Sequence, residues 1–122
     1  MSNKMLVADT LEHKSLKLIP LRIIWTAGVP SVAWNPFNES VSLTDNGAGD
    51  LTITFADASL IPLKLLGYGI EVADANTLSL EMNIDGAATA SVIKLVFNSG
   101  ADGATETDPV GCDLLIGKYV IA

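Results

Sequence analysis

The sequence predicts an all-β protein: an antiparallel, jelly-roll-like β-sandwich of about seven or eight short strands. Three observations carry that prediction. Val41-Ser42-Leu43-Thr44 and Leu51-Thr52-Ile53-Thr54-Phe55 each alternate an apolar residue with Ser or Thr, the two-residue period of a strand with one buried face. Between them lies Asp45-Asn46-Gly47-Ala48-Gly49-Asp50, whose Asn-Gly pair tolerates positive φ and marks a hairpin. Thr77 to Ile84 alternates most cleanly, with Leu78, Leu80, Met82 and Ile84 on one face and Thr77, Ser79, Glu81 and Asn83 on the other.

The remaining elements follow in chain order. Residues 1–14 read as an N-terminal arm, and residues 15–122 as the sandwich domain. In the arm, Lys4, Asp9, Glu12, His13 and Lys14 interrupt an apolar set of Met5, Leu6, Val7 and Leu11. A terminus frays unless something ties it down, so this apolar set is expected to dock on a neighbouring subunit. Leu16 to Trp25 is the first strand, and Pro20 inside it requires a sheet edge, a bulge or a junction of two shorter strands. Gly28-Val29-Pro30-Ser31 reads as a turn. Trp34 to Ser40 reads as a loop whose Trp34 and Phe37 fold back over the end of the core. In Leu60 to Val72, Pro62 and Gly67-Tyr68-Gly69 limit any helix to one or two turns, and extended structure with irregular joins is expected. Asp85-Gly86 is a turn, Ala90 to Phe97 a strand, Ser99 to Gly111 a polar loop, and Asp113 to Ile121 a closing strand central to its sheet.

Bulk properties bound the function. A chain of 122 residues is one domain by size, with a single modest core. No apolar run approaches the roughly 20 residues of a membrane helix, and Met1 to Asp9 is too polar for a secretory leader; a soluble protein made in the cytoplasm is expected. The net charge of −7, with only seven scattered basic residues, argues against a nucleic-acid surface. A single cysteine, Cys112, excludes an intrachain disulfide framework and reads as a small apolar residue beside the last strand. Hydrophobic residues make up 49% and charged residues 17%, more apolar surface than a small monomer readily buries, so a homo-oligomer is expected.

Catalytic chemistry has little to work with. The only histidine, His13, lies in the arm, away from any preorganised triad or Cys–His pair, and no phosphate-binding glycine loop is present. Asp45, Asn46 and Asp50 supply oxygen ligands of the kind Ca²⁺ takes, as do Asp102, Glu106 and Asp108, but a hairpin turn and a solvated loop account for both sets. Glu39, Glu71, Glu81 and Asp57 are glycosidase carboxylates by type alone. Trp25, Trp34, Phe37, Tyr68 and Tyr119 are the rings available to a sugar platform, with packing the default for Trp34 and Phe37. No catalytic residue, cofactor or metal ligand is assigned.

Trp34-Asn35-Pro36-Phe37, the strand after it, the Asn-Gly-x-Gly-Asp turn and Leu51-Thr52-Ile53-Thr54-Phe55 together resemble small β-sandwich virion proteins of tailed bacteriophages. These include capsid decoration (cement) proteins and the jelly-roll tips of fibres. The likeness is carried by residues 31–56, and the closing strand Asp113 to Gly117 fits it. It implies a symmetric assembly, a homotrimer, on the capsid surface, bound to the major capsid protein and free of nucleic acid and membrane. Leu6, Val7 and Leu11 in the arm and Trp34 and Phe37 at the loop end are the expected partner contacts. The short chain favours a decoration protein over a fibre. The alternatives are a tail-fibre or baseplate head domain that recognises host glycans through Trp34 to Ser40 and Ser99 to Gly111, and a stand-alone carbohydrate-binding module.

Overall fold

The computed structural model describes residues 14–72, 78–82, 89–99 and 106–121. They form eight strands: β1 (Lys14–Thr26), β2 (Val29–Trp34), β3 (Val41–Asp45), β4 (Asp50–Phe55), β5 (Lys64–Glu71), β6 (Leu78–Met82), β7 (Val92–Ser99) and β8 (Gly111–Ile121). Two four-stranded antiparallel sheets result, ordered β2-β1-β8-β5 and β3-β4-β7-β6. The all-β sandwich read from the sequence is therefore the fold, and β8 is a central strand as expected.

The core follows from period-two alternation. Ile19, Leu21 and Ile23 of β1 and Cys112, Leu114 and Ile116 of β8 point inward from one sheet; Leu51, Ile53 and Phe55 of β4 and Ile93, Leu95 and Phe97 of β7 meet them from the other. Each is buried, and burial of a side chain of that size stabilises by about 1.5–3 kcal/mol. Trp25 closes one end of the layer, edge-on to Phe97 with ring centroids 5.4 Å apart.

The predicted hairpin connects β3 to β4, with Asn46 N–H donating to Asp50 O (2.9 Å) and Asp50 N–H to Gly47 O (3.2 Å). Positive φ falls on Gly47 (126°) and Gly49 (71°) rather than on Asn46. Gly49 is indispensable for a second reason. A Cβ there would lie 2.4 Å from Thr107 N and 2.6 Å from Phe97 O, because the turn is pressed onto β7 and the segment before β8.

One expectation about a turn is corrected. The reversal after β1 is made by Ala27 and Gly28 alone, both at positive φ (51° and 79°), as a two-residue hairpin twisted like its strands requires. Val29, Pro30 and Ser31 belong to β2, where Pro30 pairs with Trp25; proline is tolerated because β2 is an edge strand. Pro20 lies in the half of β1 that β2 does not reach, so it has a partner on one side only. β5 occupies 64–71 as extended structure, with a register shift between Leu65 and Gly67. The arm residues Leu6, Val7, Leu11 and His13 lie outside the described residues, as do Asp85-Gly86, Ile84 and Asp102; Lys14 already pairs with Ile121.

Candidate functional site

Among the described residues, the outer face of the β2-β1-β8-β5 sheet carries a set of exposed apolar side chains. Residues paired across antiparallel strands share a face. The inward set of β1 therefore leaves Leu16, Leu18, Pro20 and Arg22 outward, opposite Tyr119, Gly117, Leu115 and Asp113 of β8. Leu16, Leu18 and Leu66 are each about half exposed (47%, 46% and 50%). Leu16 and Leu66 lean across Gly117 from opposite sides: a Cβ on that glycine would stand 3.3 Å and 3.1 Å from their Cδ1 atoms. The result is a smooth apolar stripe over three strands.

One cross-sheet row organises this face. Trp34 pairs with Arg22, Arg22 with Asp113, and Asp113 with Gly69. In its middle, Arg22 donates to Glu71 Oε1 and to Asp113 Oδ2, the latter at 3.3 Å. The Glu71 and then the Asp113 hydrogen bonds hold the guanidinium above its ordinary pKa. At the β5 end, Gly67, Tyr68, Gly69, Asp113, Leu114 and Leu115 line a shallow hollow of about 300 Å³.

At the β2 end stands the Trp34–Glu39 segment, and its construction is local. Asn38 N–H donates to Asn35 O (3.1 Å), closing a turn with Pro36 at its second position. The Asn35 side chain then clamps the turn from both ends: Nδ2 donates to Glu39 O (2.8 Å) and Oδ1 accepts from Glu39 N–H (3.0 Å). Asn38 takes the positive φ (53°) that asparagine tolerates better than other side-chain-bearing residues. Trp34 and Phe37 are left 54% and 55% exposed. The expectation that they fold back over the core is therefore corrected. The clamp turns Glu39 inward and Phe37 outward.

Glu39 explains why. Its carboxylate, with a side chain only 9% exposed, pairs with Lys17 Nζ and with Lys118 Nζ (3.6 Å). Lys118 is itself 4% exposed, and its ammonium lies 5.7 Å from the centre of the Phe55 ring, a cation–π distance. A buried lysine needs such partners. Sequence reading missed this cluster: Glu39 reads only as a carboxylate by type, and nothing local to Lys118 marks it as buried. The cross-strand pairing of Lys17 with Lys118 becomes visible only with the register.

Two of the carboxylates weighed as ligands are engaged with the β3–β4 turn. Asp45 Oδ1 accepts from Gly47 N–H (3.0 Å) and Asp108 Oδ1 from Gly49 N–H (2.7 Å). Among the described residues, no group of three His, Cys, Asp or Glu is placed to hold a metal ion. Cys112 is buried in β8; desolvation, then the charge of Asp113, pushes its pKa up to about 12, so it is held as an inert thiol. Of the five expected contact residues, Trp34 and Phe37 are exposed near one edge of the sheet, and Leu6, Val7 and Leu11 fall outside the described residues. No family model, curated protein or solved structure matches this chain.

Proposed function

We propose that this chain is a non-catalytic assembly protein whose working surface is the outer face of the β2-β1-β8-β5 sheet. We further propose that the assembly is a phage head that it decorates. The observation that carries the reading is the stripe of Leu16, Leu18 and Leu66, half exposed on a sheet face flattened by Gly117. A contiguous apolar patch rimmed by polar groups marks an interaction surface. The virion setting rests on the resemblance of residues 31–56 to decoration proteins. A protein that binds the assembled shell and not its free subunits stabilises the shell by mass action, which requires surface and no chemistry.

The test is the copy number of this chain in purified particles, by quantitative mass spectrometry against the major shell protein. A ratio of one, or a simple fraction of it, is expected of a symmetric coat. A handful of copies would place the protein on the tail, and the exposed rings of Trp34 and Phe37 would then favour the glycan-recognising reading. Absence from particles would refute both. Deleting residues 1–13 separates the two as well, since shell occupancy depends on the arm under the decoration reading and glycan binding does not.

A further inference from the structure

β1 is longer than the strand beside it. β2 pairs with Arg22 to Thr26, whereas β8 follows β1 from Lys14 to Ile24. Lys14 to Leu21 therefore has β8 on one side and, among the described residues, no strand on the other. Trp25 N–H donates to Val110 O (3.0 Å) on the β8 side, and successive residues of a strand aim their backbone groups to alternate sides. The even-numbered residues of β1 thus direct N–H and C=O to the open edge. Pro20 is one of them, so the N–H it lacks faces away from β8, as a proline in a paired strand requires. Lys14, Leu16 and Leu18 keep both groups, and Ser15 to Leu18 are exposed. An edge of this kind is a template for a further strand.

We infer that a second copy of this chain adds its residues 5–12 to this edge, antiparallel, with a two-fold axis at His13. The contact is isologous, one continuous ladder in which each copy's arm lies on the other's edge. Backbone direction requires even-numbered residues to face even-numbered ones, so the axis passes through a residue and not between two. On His13 it sets Glu12 opposite Lys14 and Asp9 opposite Lys17, with Val7 opposite Ile19 and Met5 opposite Leu21. On Glu12 or on Lys14 it would instead bring that residue against its own copy, like charge on like. Opposite charges across a strand pair stabilise and like charges destabilise, and charge selects His13. Lys17 has room for a second carboxylate beside Glu39, since its side chain is 43% exposed.

Length agrees with charge. Met5 to Glu12 covers Leu21 to Lys14 residue for residue, and Lys4 would then stand opposite Arg22, where β2 already pairs. The chain's own arm is a poorer occupant. Lys14 is committed to Ile121, so a return along the edge would reverse at Glu12-His13. That pair has none of the Asn, Asp or Gly that a two-residue reversal favours, and the first glycine of the chain is Gly28. The inference goes beyond the decoration reading: it gives the arm a partner and makes the unit a two-fold pair, where the resemblance implies a threefold one. Opposed residues share a face, so the pair carries the Leu16 and Leu18 of both copies on one outer surface.

The experiment is disulfide mapping on the full chain at pH 8, with sedimentation equilibrium beside it. Cys112 is buried, so introduced thiols report alone. Odd-numbered residues form the non-hydrogen-bonded pairs of this ladder, about 4.5 Å apart at Cα, a separation that a disulfide spans. His13→Cys is expected to cross-link to its own copy, and Leu11→Cys and Ser15→Cys only when mixed with each other. Charge gives a second readout. Glu12→Lys and Lys14→Glu each place two like-charge pairs in the ladder, and each is expected to associate on the order of 30-fold more weakly than wild type with its melt unchanged. Their equimolar mixture and the double variant Glu12→Lys/Lys14→Glu are expected to associate like wild type. A wild-type chain that sediments as a monomer at about 100 μM, single thiol variants at the three positions that cross-link alike, or a double variant that fails to recover would overturn the inference. So would Leu11→Cys/Ser15→Cys closing its disulfide within one copy, which would assign the edge to the chain's own arm. Copy number in particles is measured separately, so either reading can fail while the other stands.

Discussion

Replacing Glu39 by Gln removes the one carboxylate between two lysines and tests what holds the aromatic tip in place. Lys118 is 4% exposed, and its salt bridge is to Glu39. Removing one partner of a buried ion pair costs about 3–5 kcal/mol, because the charge left behind is still desolvated. Glutamine keeps an oxygen that accepts from the ammonium, which places Glu39→Gln near the low end, about 3 kcal/mol. The Lys17 contact adds little, since that side chain is 43% exposed and such pairs are worth at most about 1 kcal/mol. With a urea m-value of about 1.5 kcal/mol/M for a domain of this size, the midpoint falls by about 2 M. Lys118→Met fills the same space over Phe55 with an apolar chain and leaves Glu39 paired with Lys17. Its cost is about 1 kcal/mol or less. The double variant recovers about 2 kcal/mol relative to Glu39→Gln alone, a coupling that a double-mutant cycle reads directly. A midpoint for Glu39→Gln within about 0.3 M of wild type, or no recovery in the double variant, would show that Lys118 is solvated and that the cluster does not anchor the turn.

Three further outcomes follow from backbone geometry and burial. Ala27 sits at φ 51° in a two-residue hairpin, so Ala27→Asn is expected to raise stability by about 0.5–1 kcal/mol, read as an increased melting temperature. Gly49→Ala forces a Cβ to within 2.4 Å of Thr107 N; a loss of about 3 kcal/mol or more is expected by urea titration, and a neutral result would show that the turn is not pressed onto β7. For Cys112, burial raises the folded pKa to about 12 from an ordinary 9.0. The unfolded thiol therefore ionises first, and stability present below pH 9 falls between pH 9 and 12, by about 1.4 kcal/mol at pH 10. Cys112→Ala should remove that part of the alkaline slope, and native protein at pH 8 should resist iodoacetamide on the timescale of unfolding.

Local rules made most of the fold legible and hid most of the site. Leu51, Ile53 and Phe55 announced both strand and buried face, because a period of two requires only neighbours in sequence. Cys112, read as a small apolar residue beside the last strand, is buried within β8, and β8 is central in its sheet as expected. Pro30 misled, since proline reads as a breaker unless the strand is known to be an edge. Trp34 and Phe37 misled because large aromatics are mostly buried, and only the Asn35 clamp shows that the chain turns them out. Glu39 and Lys118 are distant in sequence, joined by a register that no local pattern reports. The Asn-Pro-x-Asn spacing was a signal of a stiff turn; which way it faced was not in it.

Glycine illustrates the boundary most clearly, because its meaning depends on what a side chain in its place would touch. At Gly49 a Cβ would strike backbone, and at Gly28 the φ of 79° excludes one; the fold itself demands both. At Gly117 the obstacle is the flexible ends of Leu66 and Leu16, which can shift by a few tenths of an ångström. At Gly67 and Gly69 there is no obstacle and no special φ. Gly67 instead follows the register shift after Leu65, a place where glycine accommodates a bulge. Both glycines lie on β5, the edge strand opposite β2 in the sheet that carries the apolar stripe. Under the proposed function, stability and assembly rest on different residues, and substitutions at 16, 18 and 66 should separate them where those at 39, 49 and 118 cannot.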